Sequence, residues 1–255
     1  MTALAVKDVR LALGDTPVLD GVSLHVEPGE FVSLLGPSAC GKSTLFRLLT
    51  GALRPDSGSI NVGGKPLIPD SSAFAFMPQR DALLPWCRIL DNLTLGLEVQ
   101  GQKRDDARAK VLPLIPAFGL DGFEQHYPAQ LSGGMRQRAA LLRTVVQDRP
   151  LQLLDEPFGA LDALTRSSMQ RWLEERREQA RSCGAAWTTL LVTHDVREAV
   201  ALSDRIYVLS RRPARVIEHI AVPTPRPRFT CASPPEAVQL EEQILQTLFT
   251  QTGDQ

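Results

Sequence analysis

The stretch FVSLLGPSACGKST, residues 31–44, is the most informative part of the sequence. It fits the pattern G-x(4)-G-K-[ST], between an apolar strand-like run and the start of a helix. In such a loop, backbone N–H groups and the helix N-terminus face phosphates, Lys42 reaches the β and γ oxygens, and Ser43 ligates Mg²⁺. Average residue usage gives the bare pattern a chance probability on the order of 1% in a chain this long, which disfavours an ordinary glycine-rich turn. The residues expected to bind the phosphates are Gly36, Ser38, Ala39, Cys40, Gly41, Lys42, Ser43 and Thr44.

Two adjacent acids form the second motif. Asp155 and Glu156 follow the apolar run Leu151–Leu154, which is typical of a buried strand. Taken alone, such a pair is more often a charge at a helix N-terminus. Beside a phosphate loop, we expect Asp155 to hold the Mg²⁺ shell and Glu156 to orient or deprotonate the attacking water.

Strand-like and helix-like segments alternate along the chain, which favours a mainly parallel sheet with helices on its faces. Residues 4–35 contain strand-like runs with turn signals, residues 85–146 are helical in pattern, and strand-like runs return at Leu151. A Pro/Arg-rich tail follows Arg211, with one helix-like segment at residues 237–249. The predicted organisation is a nucleotide-binding α/β core of residues 1–84 and 147–220, a helical subdomain of residues 85–146, and a peripheral C-terminal tail of residues 221–255.

Composition excludes several classes of protein. The 255 residues carry 28 basic and 29 acidic side chains, a net charge of -1, so a dedicated nucleic-acid-binding role is disfavoured. No run approaches the 18 apolar residues of a membrane span, and the N-terminus is too polar for a signal peptide, so a cytosolic protein is expected. The four cysteines, including Cys183 and Cys231, are scattered and predict reduced thiols.

A third motif, Leu131–Met135 with the sequence LSGGM, lies between the first two. Together with Gln79, Asp162 and His194 in the expected order, the motifs resemble those of an ATP-binding-cassette (ABC) ATPase over roughly residues 5 to 210. The resemblance implies an α/β P-loop NTPase core with a mainly parallel sheet, an antiparallel β subdomain and a helical subdomain.

The resemblance also implies a homodimer or pseudo-dimer that sandwiches two ATP molecules. Ser132, Gly133 and Gly134 of one chain would contact the γ-phosphate bound by the other, and a serine before two glycines at a helix start suits an anion. Ser132 is expected to cap that helix as well. The resemblance assigns catalysis to Glu156, His194, Gln79 and Lys42, Mg²⁺ ligation to Ser43, Gln79 and Asp155, and further ATP contacts to Ser132, Gly133, Gly134 and Asp162.

Three positions depart from the family pattern. Met135 replaces the usual glutamine and leaves the serine and both glycines intact. Ala39 replaces a glycine, which is harmless unless its φ is strongly positive, where it costs about 1 kcal/mol of strain. Leu13 stands where an aromatic normally stacks on adenine, so selectivity for the base should be poor unless another aromatic covers it.

The segment Asp81–Trp86 resembles the Leu-Leu-Pro-Trp stretch of ATPases from importers of nitrate, sulfonate, taurine and pyrimidine precursors of thiamine. Leu83, Leu84 and Trp86 could line a groove for a short helix of a membrane permease, because apolar anchors hold such helices. The alternative is that Trp86 belongs to the subdomain core. The Arg/Pro tail is either a docking element or, as we expect, solvated.

The leading functional prediction is the ATPase subunit of an importer of a small solute, peripheral at the cytoplasmic face of the plasma membrane. It would work with permease subunits and an external substrate-binding protein. An exporter's ATPase subunit is the alternative. A soluble ABC ATPase of translation or DNA maintenance is less favoured, since the chain has one cassette and no heptad run.

Overall fold

The computed structural model describes residues 2–68, 73–226, 228–229 and 234–252, with side chains to residue 250. Cys231 lies outside the described residues, as do parts of the predicted tail. The described cysteines, Cys40, Cys87 and Cys183, are free thiols. No helix among the described residues is long and apolar enough to cross a membrane.

A six-stranded sheet forms the centre of the molecule. Its strands are β3 (Phe31–Leu35), β6 (Phe74–Met77), β7 (Leu151–Asp155), β8 (Thr188–Val192), β9 (Arg205–Leu209) and β10 (Val216–Ala221). Their spatial order is β10-β9-β3-β8-β7-β6, and all adjacent pairs are parallel except β10 with β9. Every residue of β3, β7 and β8 is buried. The carboxyl ends of the parallel strands therefore meet at one edge, where ligand sites of such sheets form.

A second, antiparallel sheet has the order β2-β1-β4-β5. Its strands are β1 (Leu4–Leu13), β2 (Thr16–Val26), β4 (Ser57–Val62) and β5 (Lys65–Pro66). Gly14, with φ +59°, lies in the tight turn between β1 and β2, as the turn signal predicted. The two sheets and their helices confirm the predicted α/β class with an antiparallel subdomain.

Seven α-helices complete the described fold, with short 3₁₀ turns at Leu112–Leu114, Pro116–Phe118 and Pro128–Gln130. They are α1 (Lys42–Leu49), α2 (Ile89–Val99), α3 (Arg104–Val111), α4 (Gly133–Val145), α5 (Ala163–Ser182), α6 (Val196–Leu202) and α7 (Pro235–Thr252). The helical insert packs around Leu93, Phe118 and Leu141, each with no exposed surface. Burying three such side chains contributes about 1.5–3 kcal/mol each.

The tail is more closely packed than expected. β10 extends the central sheet, and α7 packs on α6 with Ile244 fully buried. Arg226 bonds Glu174 at 3.0 Å and Asp204 at 3.2 Å, with 11% of its side chain exposed. The interpretation of a solvated tail is therefore corrected: ion pairs and an apolar helix face hold these residues against the core.

A buried acid on α6 lies beneath this tail. Glu198 is 6% exposed and accepts a hydrogen bond from Gln170 Nε2 at 3.0 Å. Burial raises its pKa to about 7; Asp195 adds to the rise, while the Thr193 and Gln170 hydrogen bonds and the Arg166 charge oppose it. The pKa of Glu198 is thus higher in the folded state than in the unfolded state, where it is 4.5. The free energy of unfolding therefore falls as the pH rises from 4.5 through about 7.

Glu198→Gln should therefore stabilise the protein at alkaline pH. We expect the free energy of unfolding to rise by about 1–3 kcal/mol at pH 8 and by much less at pH 5, because the variant has no proton to lose. Urea denaturation at pH 5, 6, 7 and 8 measures this. Glu175→Gln, an exposed site on α5, is the matched control. A difference that does not vary with pH would contradict the buried-acid explanation.

Candidate active site

The phosphate loop connects β3 to α1 at the carboxyl edge of the central sheet. Lys42 is 6% exposed, and its Nζ donates hydrogen bonds to the carbonyl oxygens of Gly36 (2.7 Å) and Pro37 (2.8 Å). Gly41 precedes the helix with φ +132°, and no side chain caps the first turn of α1. The first N–H groups of α1 thus have no side-chain cap to compete with an anion.

Ala39 differs from expectation. Its φ is +60°, in the left-handed region that glycine adopts without a steric penalty. The strain of about 1 kcal/mol that was expected only for a positive φ therefore applies. The loop conformation requires a positive φ at position 39, and an alanine adopts it.

A cavity of about 320 Å³ opens above the loop. It is lined by Ser38, Ala39, Gly41, Lys42, Ser43, Thr44, Gln79, Glu156 and Arg212. Two predicted phosphate contacts, Gly36 and Cys40, are absent from this lining. Gly36 instead accepts the Lys42 hydrogen bond, and Cys40 is buried, with the pKa of its thiol raised by that burial.

Asp155, at the end of β7, suits a cation. It is 4% exposed, and burial raises its pKa to about 6, although the Ser43 hydroxyl hydrogen-bonds to it. Its Oδ1 is buried without a hydrogen-bond partner among the described residues. A buried carboxylate oxygen lacking a partner, next to a serine hydroxyl, matches the hard oxygen ligands of Mg²⁺. The described residues hold no cluster of three or more His, Cys, Asp or Glu, and Mg²⁺ typically takes one or two carboxylates plus phosphate oxygens.

Three predicted site residues, Gln79, Glu156 and His194, lie in contact. Gln79 Nε2 donates to Glu156 Oε2 at 3.1 Å, and His194 Nδ1 lies 3.3 Å from Glu156 Oε1. The sheet order explains the meeting, because β6, β7 and β8 are neighbours and the three residues follow their carboxyl ends. Glu156 has φ +49°, and its N–H bonds Val192 O at 2.9 Å. A carboxylate held by an amide and an imidazole at this edge is suited to proton transfer.

Gln137 is a site residue that the sequence analysis missed. Its Nε2 donates to the carbonyl oxygens of Glu156 (3.2 Å) and Pro157 (3.0 Å), so α4 holds the backbone of the acid. Gln137 is buried together with Ala140, Leu141 and Thr144 on one face of α4. A polar side chain on that mostly apolar stripe was the available signal.

The LSGGM segment and Asp162 lie outside the cavity of their own chain. Ser132 caps α4 as predicted, accepting from Met135 N at 3.2 Å, and a Cβ at Gly133 would meet only Arg136 Nη2 within 4 Å. Asp162 caps α5, and its hydrogen bonds with Thr165 and Leu164 lower its pKa although burial opposes the shift. Neither the LSGGM segment nor Asp162 lines the cavity.

The apolar residues near the site divide by exposure. Trp86 is 72% exposed, so the alternative that it belongs to the core is wrong. Leu83 is 7% exposed, which corrects its expected place in a groove: it packs in the core while Leu84 is half-buried. Leu13 is 43% exposed at the end of β1.

Comparisons with known proteins agree with this geometry. The ABC transporter family model matches residues 19–159. The chain is 42% identical to the formylaminopyrimidine import ATP-binding protein ThiZ of Halalkalibacterium halodurans, over 86% of this chain and 84% of that protein. It is 44% identical to the aliphatic sulfonates import ATP-binding protein SsuB 1 of Mesorhizobium japonicum, over 97% and 89%.

Solved structures match as well. The dimeric structure of MJ0796, a bacterial ABC transporter cassette, has a TM-score of 0.77 and 27% identity, covering 87% of this chain and 99% of that one. A post-hydrolysis dimer of the same cassette with ADP and Pi has a TM-score of 0.76 and 26% identity, covering 87% and 99%.

Proposed function

The chain belongs to the ABC transporter family, and from that membership we propose that it is the ATP-hydrolysing subunit of a membrane importer for a small solute of the sulfonate or pyrimidine type. The single observation that carries the catalytic part is Glu156 held by Gln79 and His194 above the phosphate loop. The import direction is supported by relatives that are themselves import ATP-binding proteins. The exporter and soluble alternatives have no comparable support.

Nucleotide binding rests on the phosphate loop. Lys42 is positioned to exchange its two carbonyl partners for β- and γ-phosphate oxygens. The loop amides and the first turn of α1 bind the same anion. Ser43, Asp155 and Gln79 are the proposed Mg²⁺ ligands, supported by the unpartnered Asp155 Oδ1. Mg²⁺ held by these residues would supply positive charge to neutralise the phosphates.

Hydrolysis is assigned to the residues around Glu156. The carboxylate accepts a proton from the attacking water or orients it, and Gln79 fixes the position of that carboxylate. His194 contacts Glu156 and keeps 61% of its side chain exposed; although it does not line the cavity, we assign it a contact with a γ-phosphate oxygen from the β8 side. Gln137 keeps the backbone of the acid in place from α4.

Dimerisation completes the proposed site. Ser132, Gly133, Gly134 and Asp162 lie outside the cavity of their own chain, so we assign them to the site of a second copy. A twofold axis lets one patch serve both sites. The dimeric ABC cassette structure supports this arrangement.

The membrane partner is proposed to dock at Trp86 and Leu84. An indole left 72% exposed is the kind of anchor that fills a partner's pocket. The proposed partners are permease subunits and a periplasmic or extracellular substrate-binding protein, with this subunit peripheral at the cytoplasmic face of the membrane.

Trp86→Ala should uncouple the transporter without inactivating the isolated subunit. We expect basal ATPase within about twofold of the parent, since Trp86 lies outside the cavity, and at least a tenfold loss of permease co-purification, the scale of an interface hot spot. Val99→Ala, which truncates another strongly exposed apolar side chain, is the matched control. An isolated variant that unfolds or loses hydrolysis while still assembling would contradict the docking role.

The function as a whole is tested by reconstitution. The chain, co-expressed with the permease and the substrate-binding protein of a sulfonate or formylaminopyrimidine importer, is assayed for ATP-dependent uptake of an alkanesulfonate and of a formylaminopyrimidine. Uptake of either solute that needs both ATP and the chain supports the proposal. ATP-driven movement only outward, or hydrolysis with no membrane partner, would overturn it.

A further inference from the structure

Arg212 is a cationic residue of the cavity to which neither the motifs nor the comparisons assign a role. It belongs to the loop that follows β9, and β9 pairs in parallel with β3 through Leu35 and Val208. Their carboxyl ends are therefore adjacent, and a Cβ built on Gly36 would lie only 3.0 Å from Leu209 Cβ. The end of β9, and the loop that follows it, therefore lie directly beside the phosphate loop.

The loop that carries Arg212 is held firmly on the antiparallel sheet. Ala214 N–H donates to Val18 O at 2.8 Å, and Asp20 N–H donates to Ala214 O at 2.9 Å. Arg215 Nε donates to the Asp20 carboxylate at 2.8 Å, and Arg215 N–H donates to Ser210 Oγ at 3.0 Å. Hydrogen bonds and an ion pair of the residues flanking Arg212 thus fix the position of its backbone.

The charge of Arg212 is uncompensated by its neighbours. Among the described residues, no carboxylate forms an ion pair with it and no acceptor takes a hydrogen bond from it. The other basic side chain of the lining, Lys42, is occupied by two carbonyl oxygens. Arg215, three residues away, is paired with Asp20. A guanidinium in a phosphate cavity without a partner is available to an anion.

The side of the sheet from which Arg212 approaches determines which part of the nucleotide it contacts. Gln79, Glu156 and His194 reach the site from strands on one side of β3, whereas Arg212 comes from β9 on the other side. We propose that Arg212 binds the triphosphate from the β9 side, at the phosphates remote from the hydrolysed bond. This inference rests on the proposed function and adds a phosphate-binding residue to it.

The proposal also accounts for nucleotide binding without an aromatic at position 13. Leu13 offers no flat face to the base, whereas a second cation strengthens binding at the phosphates, which every nucleoside triphosphate shares. We therefore expect Arg212 to contribute equally to ATP and GTP affinity.

The test measures binding of ATP, GTP and inorganic tripolyphosphate to the full chain by competition with a fluorescent ATP analogue. Arg212→Gln should weaken all three by at least fivefold, and Arg212→Lys should recover part of the loss. Arg211→Gln, an exposed neighbour outside the cavity lining, is the matched control and should stay within twofold of the parent. Circular dichroism establishes that each variant is folded.

Three results would overturn the assignment. The first is a loss of ATP affinity below fivefold in Arg212→Gln. The second is a loss of ATP and GTP affinity in that variant with tripolyphosphate affinity unchanged. The third is an equal loss of affinity in Arg211→Gln. The second would mean that Arg212 contacts the base, and the third that only net charge matters. Failure of the proposed function looks different, since the parent itself would then neither bind nor hydrolyse ATP.

Discussion

Glu156→Gln should lower steady-state ATP hydrolysis by at least about 100-fold while leaving ATP bound, because general acid–base catalysis contributes typically 10²–10⁴-fold. The amide keeps an oxygen that accepts the Gln79 hydrogen bond but cannot take a proton from water. Lys42 and the loop amides, to which we assign nucleotide binding, are untouched. Binding and chemistry should separate, and an ATP-bound dimer should accumulate.

Phosphate release, nucleotide retention on a desalting column and size-exclusion chromatography measure these three consequences. Glu175→Gln, the same chemical change at an exposed position on α5, serves as the control and should hydrolyse ATP normally. Turnover of the Glu156 variant within about threefold of the parent would show that another group activates the water.

Mixtures of Lys42→Ala and Ser132→Arg subunits should hydrolyse ATP although neither variant does so alone. Lys42 belongs to the cavity of its own chain, whereas Ser132 lies outside that cavity and is assigned to the partner's site. A mixed dimer then has one composite site with both lesions and one with neither. With random pairing and independent sites, an equal mixture should recover roughly a quarter of the parental rate.

The matched control combines Lys42→Ala with Glu156→Gln subunits. Both lesions then lie on the phosphate-loop side, so every composite site carries one of them and no activity should return. ATPase assays across a series of mixing ratios give the readout. Equal inactivity in both kinds of mixture would count against the shared-site arrangement.

Much of the site was predictable because its parts are local in sequence. The phosphate loop is a continuous strand, turn and helix start over residues 31–44, and short-range geometry alone sets its shape. Asp155 and Glu156 follow directly from a buried strand, and Ser132 caps the helix that it precedes. The family resemblance then implied roles for residues that lie far apart in the chain, such as Gln79 and His194.

Tertiary structure decided the features that depend on which strands are neighbours. Arg212 reaches the phosphate loop only because β9 pairs with β3, and Gln137 reaches Glu156 because α4 packs against β6, the strand next to β7. The burial of Arg226 against Glu174 follows from the folded surroundings in the same way. Residue type and spacing determine local conformation and motif, but strand order and packing bring together side chains many residues apart, and those contacts determine burial, charge pairing and access to the ligand.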